Sequence, residues 1–489
     1  MKTKYLLLTL LLSLSLFGGC AVNPVSGKQD LVLLSESDEI ELGRKTNQEV
    51  LQQYKVYDDP ALQAYVQNIG NKVALNSHRN NLAYRFTVLD SKEVNAFALP
   101  GGYIYITRGL MSYLKSEAEL AAVLGHEVGH VTARHSVRQY SANQLTNIGV
   151  ALSSIFIPGM NQASSQLAQL FGAALLRGYG REHELEADRL GAEYLARTGY
   201  NPNAMLDVIS VLKNQEIFER EVAKAEGREP RIYHGVFSTH PDNDTRLQEV
   251  VGTAHGLAEN TASAKFVGYE EYMSYINKMV YGDSPRDGIL RGRRFFHEDL
   301  NFSMTFPKKW NVSNLPDQIL LTAPGGEAIM QITAEDIDKK TSPRNFMIQR
   351  MGLNNLDNET ALNINGLKAH TGISVINTKE GARPTRITVI YFEQRAYIVA
   401  GTAKVANNLA KYDQTILKTA KSFHALTKNE KMLAQPLRLK VVQATNQTRF
   451  AELAKKSSLN AHAESQLRLL NAMYPDGEPQ KGQLLKVVE

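Results

Sequence analysis

The segment His126-Glu127-Val128-Gly129-His130 constrains this chain more than any other part of its sequence. In an α-helix, residues four apart lie on one face, so His126 and His130 can direct ring nitrogens at a single metal ion. Glu127 is turned away from that face but can reach a water on the same ion. Two imidazoles with an adjacent carboxylate are what a zinc hydrolase needs, so the pattern predicts a zinc site.

The helix that carries this pattern is well marked in the sequence. Ser116 and Glu119 form the pattern of a capping box, which is typical of a helix start. Residues 118–128 are almost wholly apolar, so we expect this helix to be buried. Two histidines and a glutamate inside a buried helix cost free energy unless other groups satisfy them. A chance occurrence of the pattern is the alternative, and the buried helix argues against it.

A second functional helix is expected at Arg181–Arg197, with Gly199 ending it. Glu184 and Asp188 are four residues apart on this helix and share a face. We predict that Glu184 is the third zinc ligand and that Asp188 accepts the N–H of a zinc-bound histidine, a partner that such ligands usually have. Three neighbours are also candidates for the third ligand: Glu182, His183 and Glu186.

The two segments His126–His130 and Glu184–Asp188 together resemble metallopeptidase family 48, the HExxH zinc peptidases that include CaaX prenyl proteases and bacterial periplasmic proteases. The E-x-x-A-D pattern of that family places its glutamate ligand at Glu184 and its supporting aspartate at Asp188. Asn95–Gly102 also matches, as does Thr239-His240-Pro241 with Arg246 downstream. The resemblance covers about residues 38–252 and implies one zinc ion per chain. It also implies that His240 approaches the zinc, where it assists or regulates catalysis, and that Arg246 supports the site.

A metzincin is excluded, because the glycine and the third histidine of that class would fall at Ala133 and Ser136. His135 falls on the opposite helix face from His126, and we expect it to be structural.

The expected reaction is hydrolysis of peptide bonds in polypeptide substrates. Glu127 acts as the general base on a zinc-bound water, and His240 helps the zinc to hold the oxyanion. The strand Tyr103–Thr107 precedes the zinc helix, where zinc endopeptidases place the edge that pairs with extended substrate. The candidate substrate residues beside it are Asn95, Ala96, Phe97 and Gly102. An ordinary core strand is the alternative for this segment.

The N-terminus has the pattern of a bacterial lipoprotein signal. Lys2 and Lys4 precede the apolar run Tyr5–Phe17, which ends in Gly18-Gly19-Cys20. We predict a signal peptide at 1–19, lipidation of Cys20 and a tether at 20–37. The alternative is an uncleaved membrane anchor, but the apolar run is shorter than the ~20 residues that span a bilayer.

Cys20 is the only cysteine, so the chain has no internal disulfide. By resemblance to enterobacterial lipoproteins, the absence of Asp after Cys20 favours the periplasmic side of the outer membrane.

The remaining sequence predicts an α+β protein of several domains. The first, at 38–262, is a mainly helical zinc peptidase domain with a small edge sheet. It is followed by a linker helix at 263–294, an α+β domain at 295–428 and a small βααβ unit at 435–489. Within the first, 141–178 is expected to be a flap over the active site or to pack against the core. The domain at 295–428 has a faint similarity to PsbP- and Mog-type domains. The last unit resembles a LysM module, which would bind peptidoglycan, or it is a packing domain without glycan affinity.

The charge balance gives no sign of a nucleic-acid partner. The net charge is +5, and lysine and arginine form no long run. The family resemblance, the N-terminal signal and the LysM-like unit instead imply these partners: envelope polypeptides, the membrane through the N-terminal lipid, and peptidoglycan. Two other functions stay open: an envelope assembly factor in which proteolysis is minor, and a zinc site that only stabilises the fold. Glu127, which a purely structural site does not need, argues against the second.

Overall fold

The computed structural model of this protein describes residues 20–142, 179–226, 230, 265–315, 318–337, 341–353, 355–378, 381–459 and 461–489. The described residues form two compact units, of which the first combines the chain up to Gly282 with Leu437–Glu489 and the second is Asp283–Pro436. Both units contain helices and strands, which confirms the expected α+β class. Within the described residues, no helix combines the length and the apolar character needed to cross a bilayer.

The helices of the described residues are labelled in chain order: α1 (Glu36–Gln53), α2 (Pro60–Leu75), α3 (Arg108–Tyr113), α4 (Glu117–Thr132), α5 (Arg181–Thr198), α6 (Ala204–Glu226), α7 (Tyr269–Ile276), α8 (Leu409–Lys421), α9 (Lys428–Leu433), α10 (Phe450–Lys456) and α11 (Ala463–Leu470). Short helical turns lie at Pro100–Gly102, Pro324–Gly326, Pro343–Asn345 and Ala406–Asn408, and a π-helix lies at Phe346–Arg350.

The strands are β1 (Cys20–Val22), β2 (Gln29–Leu31), β3 (Arg85–Leu89), β4 (Ala96–Leu99), β5 (Tyr103–Thr107), β6 (Val280–Tyr281), β7 (Ile289–Arg291), β8 (Arg294–His297), β9 (Phe302–Thr305), β10 (Asn311–Asn314), β11 (Ile319–Thr322), β12 (Ala328–Asp336), β13 (Asp357–Ile364), β14 (Leu367–Thr378), β15 (Gly381–Phe392), β16 (Arg395–Ala403), β17 (His424–Ala425), β18 (Leu437–Gln443) and β19 (Leu484–Val488).

The core of the first unit is organised around α4, which is buried along its whole length. At its start, the Ser116 hydroxyl accepts the N–H of Glu119, as the capping pattern predicts. The Glu119 carboxylate accepts the N–H of Lys115, one residue before the cap. The Glu117 carboxylate accepts hydrogen bonds from the hydroxyls of Tyr65 and Tyr200. These bonds hold the first turn of α4 in a fixed position within the core.

A small sheet in the order β3-β5-β4 lies beside α4. The predicted strands Arg85–Leu89 and Tyr103–Thr107 are confirmed as β3 and β5, and they pair in parallel. β4 pairs antiparallel with β5 and forms one edge of the sheet. The expectation that Tyr103–Thr107 is the edge that pairs with substrate is wrong, because β5 is paired on both sides, with β3 and with β4. The turn Pro100–Gly102 joins β4 to β5, with Gly101 and Gly102 at φ of 76° and 86°.

The C-terminal residues form the expected βααβ order, as β18, α10, α11 and β19. They belong to the first unit, where β18 pairs with β19 on one side and with β6 on the other. The ammonium group of Lys486 on β19 is fully buried and donates to the backbone carbonyls of Ser112 and Leu114. These two carbonyls lie at the end of α3, just before α4 begins.

The second unit is built on two antiparallel sheets. Seven strands follow the order β10-β11-β12-β16-β15-β14-β13, and four follow the order β17-β9-β8-β7. α8 packs on the larger sheet, where Ile416 lies within van der Waals reach of Gly401 on β16. Residues 263–294, expected to be a linker helix, contain α7 and also β6 and β7.

Candidate metal centre

The metal centre depends on the close approach of α4 and α5. Small residues line the contact on both helices. A Cβ atom added at Gly129 would lie 3.0 Å from the carbonyl oxygen of Ala187. One added at Gly191 would lie 3.0 Å from the backbone nitrogen of His126. Because larger side chains would hold the helices apart, the glycines allow a carboxylate on α5 to reach the histidines on α4.

Three side chains converge where the two helices meet. His126 and His130 lie on α4, and their Nε2 atoms are 3.0 Å apart. Glu184, in the first turn of α5, places one carboxylate oxygen 3.5 Å from each of these nitrogens. The three are 6%, 1% and 0% exposed, so the charge of the carboxylate is well shielded from water.

The spacing of these atoms suits one tetrahedral zinc ion. Two metal–ligand bonds of about 2.05 Å at the tetrahedral angle separate the ligand atoms by about 3.3 Å. The observed separations of 3.0 and 3.5 Å bracket this value. Two imidazole lone pairs that face each other and a buried carboxylate would be electrostatically unfavourable without a shared cation. The three side chains therefore fit a metal ion of this size and charge.

The ring of His126 is oriented by the carboxylate of Asp188, which contacts Nδ1, the ring nitrogen that faces away from His130 and Glu184. Its Nδ1 lies 2.7 Å from Oδ1 of Asp188, which is fully buried on α5. This contact places the ring proton on Nδ1 and leaves Nε2 as a ligand atom. Glu127 follows His126 on α4 and is 1% exposed.

His130 is oriented by His135, for which the sequence predicts only a structural role. The expectation that His135 lies on the opposite helix face is wrong, because α4 ends at Thr132. Arg134 then adopts a left-handed backbone conformation with φ of 55°, and its Nε donates to Glu39 on α1 at 2.8 Å. The turn brings His135 back to α4, where its Nδ1 lies 2.8 Å from Nδ1 of His130.

His135 is itself held by Glu186. Nε2 of His135 lies 3.0 Å from Oε2 of Glu186, which also accepts from Nη1 of Arg138 at 3.0 Å. The hydrogen bond from His135 is the main reason that the pKa of Glu186 falls to about 2. Burial lowers the pKa of His135 below its ordinary value. Glu186 is thus engaged with His135 and Arg138, away from the three converging side chains.

Glu182 and His183 are not among the side chains that converge within the described part of the chain. Glu182 is exposed on α5. The ring of His183 stacks on the ring of His135, with centroids 4.3 Å apart and planes inclined by 19°. Burial lowers the pKa of His183 to about 4. On the other side of His130, the ring of Tyr179 stacks at a centroid distance of 4.0 Å.

The candidate substrate residues lie on and beside β4. Ala96 is buried and Phe97 half-buried, with the Phe97 ring stacked 4.8 Å from that of Tyr105. Asn95 is buried, and its backbone N–H donates to Oγ1 of Thr107 at 3.1 Å. Gly102 lies in the turn that follows β4.

Several candidate residues fall outside the described part of the chain. His240 and Arg246 lie outside the described residues, as does most of the expected flap at 141–178. The signal segment 1–19 also lies outside them, and Cys20 is described as the first residue of β1 by its backbone alone.

A buried helix with two histidines and a glutamate, completed by a glutamate from a second helix, is the arrangement found in HExxH metallopeptidases. The sequence model of Peptidase family M48 matches residues 60–254. Residues 60–254 are therefore similar to this family, as the HExxH and E-x-x-A-D segments predict.

Several relatives extend this match. The chain is 28% identical over 336 residues to the "Beta-barrel assembly-enhancing protease" of Escherichia coli (strain K12), across 65% of this chain and 66% of that protein. It is 33% identical over 217 residues to the protein of the same name in Yersinia pestis, across 42% of each chain. It is 34% identical over 150 residues to "Mitochondrial metalloendopeptidase OMA1" of Arabidopsis thaliana, across 30% of each. The chain thus spans just under two thirds of its Escherichia coli relative.

Among solved structures, the chain is similar to cyanobacterial PsbP from Synechocystis. The match covers 30% of this chain and 98% of the PsbP chain, with 12% sequence identity and a TM-score of 0.22. A match at this level carries no conclusion about function.

Proposed function

We propose that this protein is a zinc-dependent endopeptidase that cleaves polypeptides of the bacterial cell envelope. The observation that carries the proposal is the buried convergence of His126, His130 and Glu184, with separations of 3.0 and 3.5 Å and with Glu127 adjacent on the same helix. Catalytic zinc sites typically have three protein ligands, which include imidazole nitrogens and carboxylate oxygens. They leave the fourth position open for water or substrate.

Each residue of the metal centre has a separate role in the proposed reaction. When bound, zinc supplies a Lewis acid that polarises the scissile carbonyl and makes water acidic enough to be deprotonated near neutral pH. Glu127 takes the proton from the attacking water and then delivers it to the leaving amine. His126 and His130 are held in the ligand tautomer by their Nδ1 contacts, so they need no reorientation during the reaction. His240 remains a predicted participant that stabilises the oxyanion or occupies the open position in a latent state.

The edge strand β4 is the proposed site for substrate. Its sequence neighbours Asn95 and Gly102 bracket it, and its inner face lies against the core beside α4. An extended polypeptide can add to a sheet edge through backbone hydrogen bonds, which recognise main chain rather than a particular sequence. Such binding suits a protease that acts on unfolded or misassembled chains.

The envelope location rests on the N-terminal sequence and on the relatives. The lipoprotein pattern that ends at Cys20 supports a lipid anchor on the periplasmic side, with the outer membrane favoured by the residue after it. The relatives named beta-barrel assembly-enhancing protease support a role in assembly or quality control of envelope proteins. We further propose that residues 435–489 contribute either LysM-like peptidoglycan binding or packing only.

A substitution that removes the base but keeps the metal tests this function. Glu127→Gln has nearly the same size, so it should fold and keep one zinc ion per chain. Its hydrolysis of an unfolded polypeptide such as casein should fall by about 100-fold or more, since general-base help contributes roughly 10²–10⁴-fold. Glu182→Gln, an exposed change on α5, is the matched control and should keep wild-type activity. Wild-type turnover by Glu127→Gln would reject the mechanism.

A further inference from the structure

The two histidines of the metal centre are supported in different ways. His126 meets the Asp188 carboxylate directly, at 2.7 Å. Nδ1 of His130 instead meets a second imidazole, which in turn meets a carboxylate, in the order His130, His135, Glu186, with contacts of 2.8 and 3.0 Å. His135 is completely buried, so water does not compete for either of its nitrogens.

These contacts are consistent with one arrangement of protons. If His130 presents Nε2 to the metal, its proton is on Nδ1 and is donated to Nδ1 of His135. His135 then has its proton on Nε2 and donates it to Glu186. Every ring N–H in the chain of contacts has an acceptor, and both imidazoles are neutral. The buried ion pair of Arg134 with Glu39 keeps the turn that places His135 there.

We propose that His135 is a positioning residue that fixes the tautomer and the ring orientation of His130, and that Glu186 anchors His135 in turn. This proposal rests on the proposed zinc site and deepens it. An outer carboxylate that holds a metal-bound histidine raises its affinity for the metal, and loss of such partners costs about 10- to 100-fold. The structure assigns this role for His130 to an imidazole–carboxylate pair.

Two substitutions of equal length separate hydrogen bonding from packing. His135→Gln keeps an acceptor for His130 and a donor for Glu186, whereas His135→Met keeps only the bulk. The zinc dissociation constant, measured by competition with a chelator, should rise about 10- to 100-fold in His135→Met and stay within a few-fold of wild type in His135→Gln. The visible absorption of the cobalt-substituted protein should change in His135→Met alone. His183→Phe keeps the stacked ring beside His135 and should leave both readings unchanged.

The results separate this proposal from the function on which it rests. A wild-type protein that binds no zinc rejects the proposed function itself. A wild type that binds zinc, with His135→Met equal to it in affinity and cobalt spectrum, overturns the role of His135 alone. If the His135 variants do not fold, Glu186→Gln at a partly exposed position gives the same test. It should weaken zinc binding, and unchanged affinity would overturn the proposal.

A second, independent feature lies in the second unit. A pocket of about 330 Å³ opens between the C-terminal half of α8 and the loop that follows β9. This volume falls in the range of about 300–1,000 Å³ that is typical of small-molecule sites. Its lining consists of cations, hydroxyl groups, a proline and one tryptophan: Arg293, Thr305, Pro307, Lys308, Trp310, Thr415, Lys418, Thr419 and Ser422.

The charge of this lining has one sign. Arg293, Lys308 and Lys418 are its charged residues, and it contains no carboxylate. Within the described part of the chain, none of the three makes an ion pair. Cations of like sign around one concave surface repel one another and create a positive potential, which an anion relieves. Nε of Arg293 donates to the Phe306 carbonyl at 2.8 Å, which limits the positions its guanidinium can take.

The pocket also offers an aromatic wall. Trp310 lines it and packs near Tyr412, with ring centroids 6.1 Å apart. A planar or ring-shaped group can stack on an indole, while the hydroxyl of Thr415 can exchange hydrogen bonds with a polar ring substituent. We infer that this pocket binds a small phosphorylated sugar, with its phosphate among the cations and its ring beside Trp310.

The single tryptophan gives a direct assay, because Trp310 is the only one in the chain. Glucose 6-phosphate should produce a saturable change in tryptophan fluorescence of the full-length protein. Lys418→Gln should weaken its binding about 3- to 10-fold, as expected for loss of one partly exposed charge contact. Lys421→Gln, on the same helix end but outside the pocket, should bind as wild type does.

Two controls define the ligand class. Glucose, which lacks the charge, and inorganic phosphate, which lacks the ring, should each bind more weakly than glucose 6-phosphate. No saturable change with glucose 6-phosphate, or equal weakening in Lys418→Gln and Lys421→Gln, would overturn the inference. Phosphate that binds as tightly as the sugar phosphate would also overturn it, because the ring and Trp310 would then contribute nothing.

Discussion

Replacement of Lys486 by methionine should destabilise the first unit although this residue lies far from the metal ligands in sequence. Nζ of Lys486 donates to the carbonyls of Ser112 and Leu114 at 2.8 and 2.6 Å, and the side chain is completely buried. Methionine fills a similar volume but leaves both acceptors without this donor. A buried acceptor that loses its partner costs about 1–3 kcal/mol. Removal of the buried amine also removes the cost of taking this polar group out of water, which returns part of the loss. We therefore expect a net loss of about 2–4 kcal/mol in the free energy of unfolding.

The same substitution should change how stability depends on pH. Burial lowers the pKa of Lys486 to about 7 from an ordinary value of 10.5, with Glu119 and Lys115 as its charged neighbours. Between these values the unfolded chain binds a proton at this position that the folded chain has released, so unfolding free energy rises with pH. This contribution is absent in Lys486→Met. The stability difference between the two proteins should therefore be largest above pH 9 and smallest below pH 7.

Urea denaturation monitored by circular dichroism at several pH values measures both effects. Lys440→Met is the matched control, because Lys440 lies on the paired strand β18, is half exposed and contacts Glu489 at the surface. It should change stability by less than about 0.5 kcal/mol and leave the pH slope intact. If Lys486→Met matches wild type in midpoint and in pH slope, the buried lysine does not join the C-terminal strand to the start of α4 as we describe.

The helix contact at the site and the lipid anchor can each be tested by one substitution. Gly129→Ala should reduce zinc content while helical circular dichroism is retained. The added Cβ would lie 3.0 Å from the Ala187 carbonyl oxygen and would force α4 and α5 apart. Full zinc occupancy in the folded variant would show that this close approach of the helices is unnecessary. Cys20→Ser should lose incorporated radiolabelled fatty acid and leave the membrane fraction, whereas an unlabelled wild type in the soluble fraction would refute the lipoprotein assignment.

Local patterns predicted the elements around the site with good accuracy. Both β3 and β5 were predicted as strands, β5 from its alternating β-prone residues, and the capping serine Ser116 marked the start of α4. Spacing of four along a helix was also enough to propose which side chains of α4 and α5 share a face. These signals act over a few residues, so they can be found without knowledge of tertiary contacts.

The support of His130 could not be predicted in the same way. His135 reaches His130 only because α4 ends at Thr132 and Arg134 takes a positive φ, a conformation that glycine or asparagine usually marks in sequence. What stabilises this turn is an ion pair with Glu39, which lies on a different helix. A contact between residues so distant in sequence has no local signal.

The role of the C-terminal residues was hidden for a similar reason. The βααβ order of residues 435–489 was readable from hydrophobic periodicity, but its strand pairing with β6 was not. Lys486 looks like an ordinary charged residue in a strand, since only the folded structure reveals the two carbonyls that make its burial possible.

Metal content decides whether Glu184 completes a zinc site with the two histidines. Plasma mass spectrometry of the purified full-length protein should find one zinc ion per chain. Glu184→Ala should lose this zinc, because two imidazoles alone bind it far more weakly. Glu182→Ala, on the same turn but exposed, should retain it. Full zinc occupancy in a folded Glu184→Ala protein would remove Glu184 from the site and would return Glu186 and His183 as candidates for the third ligand.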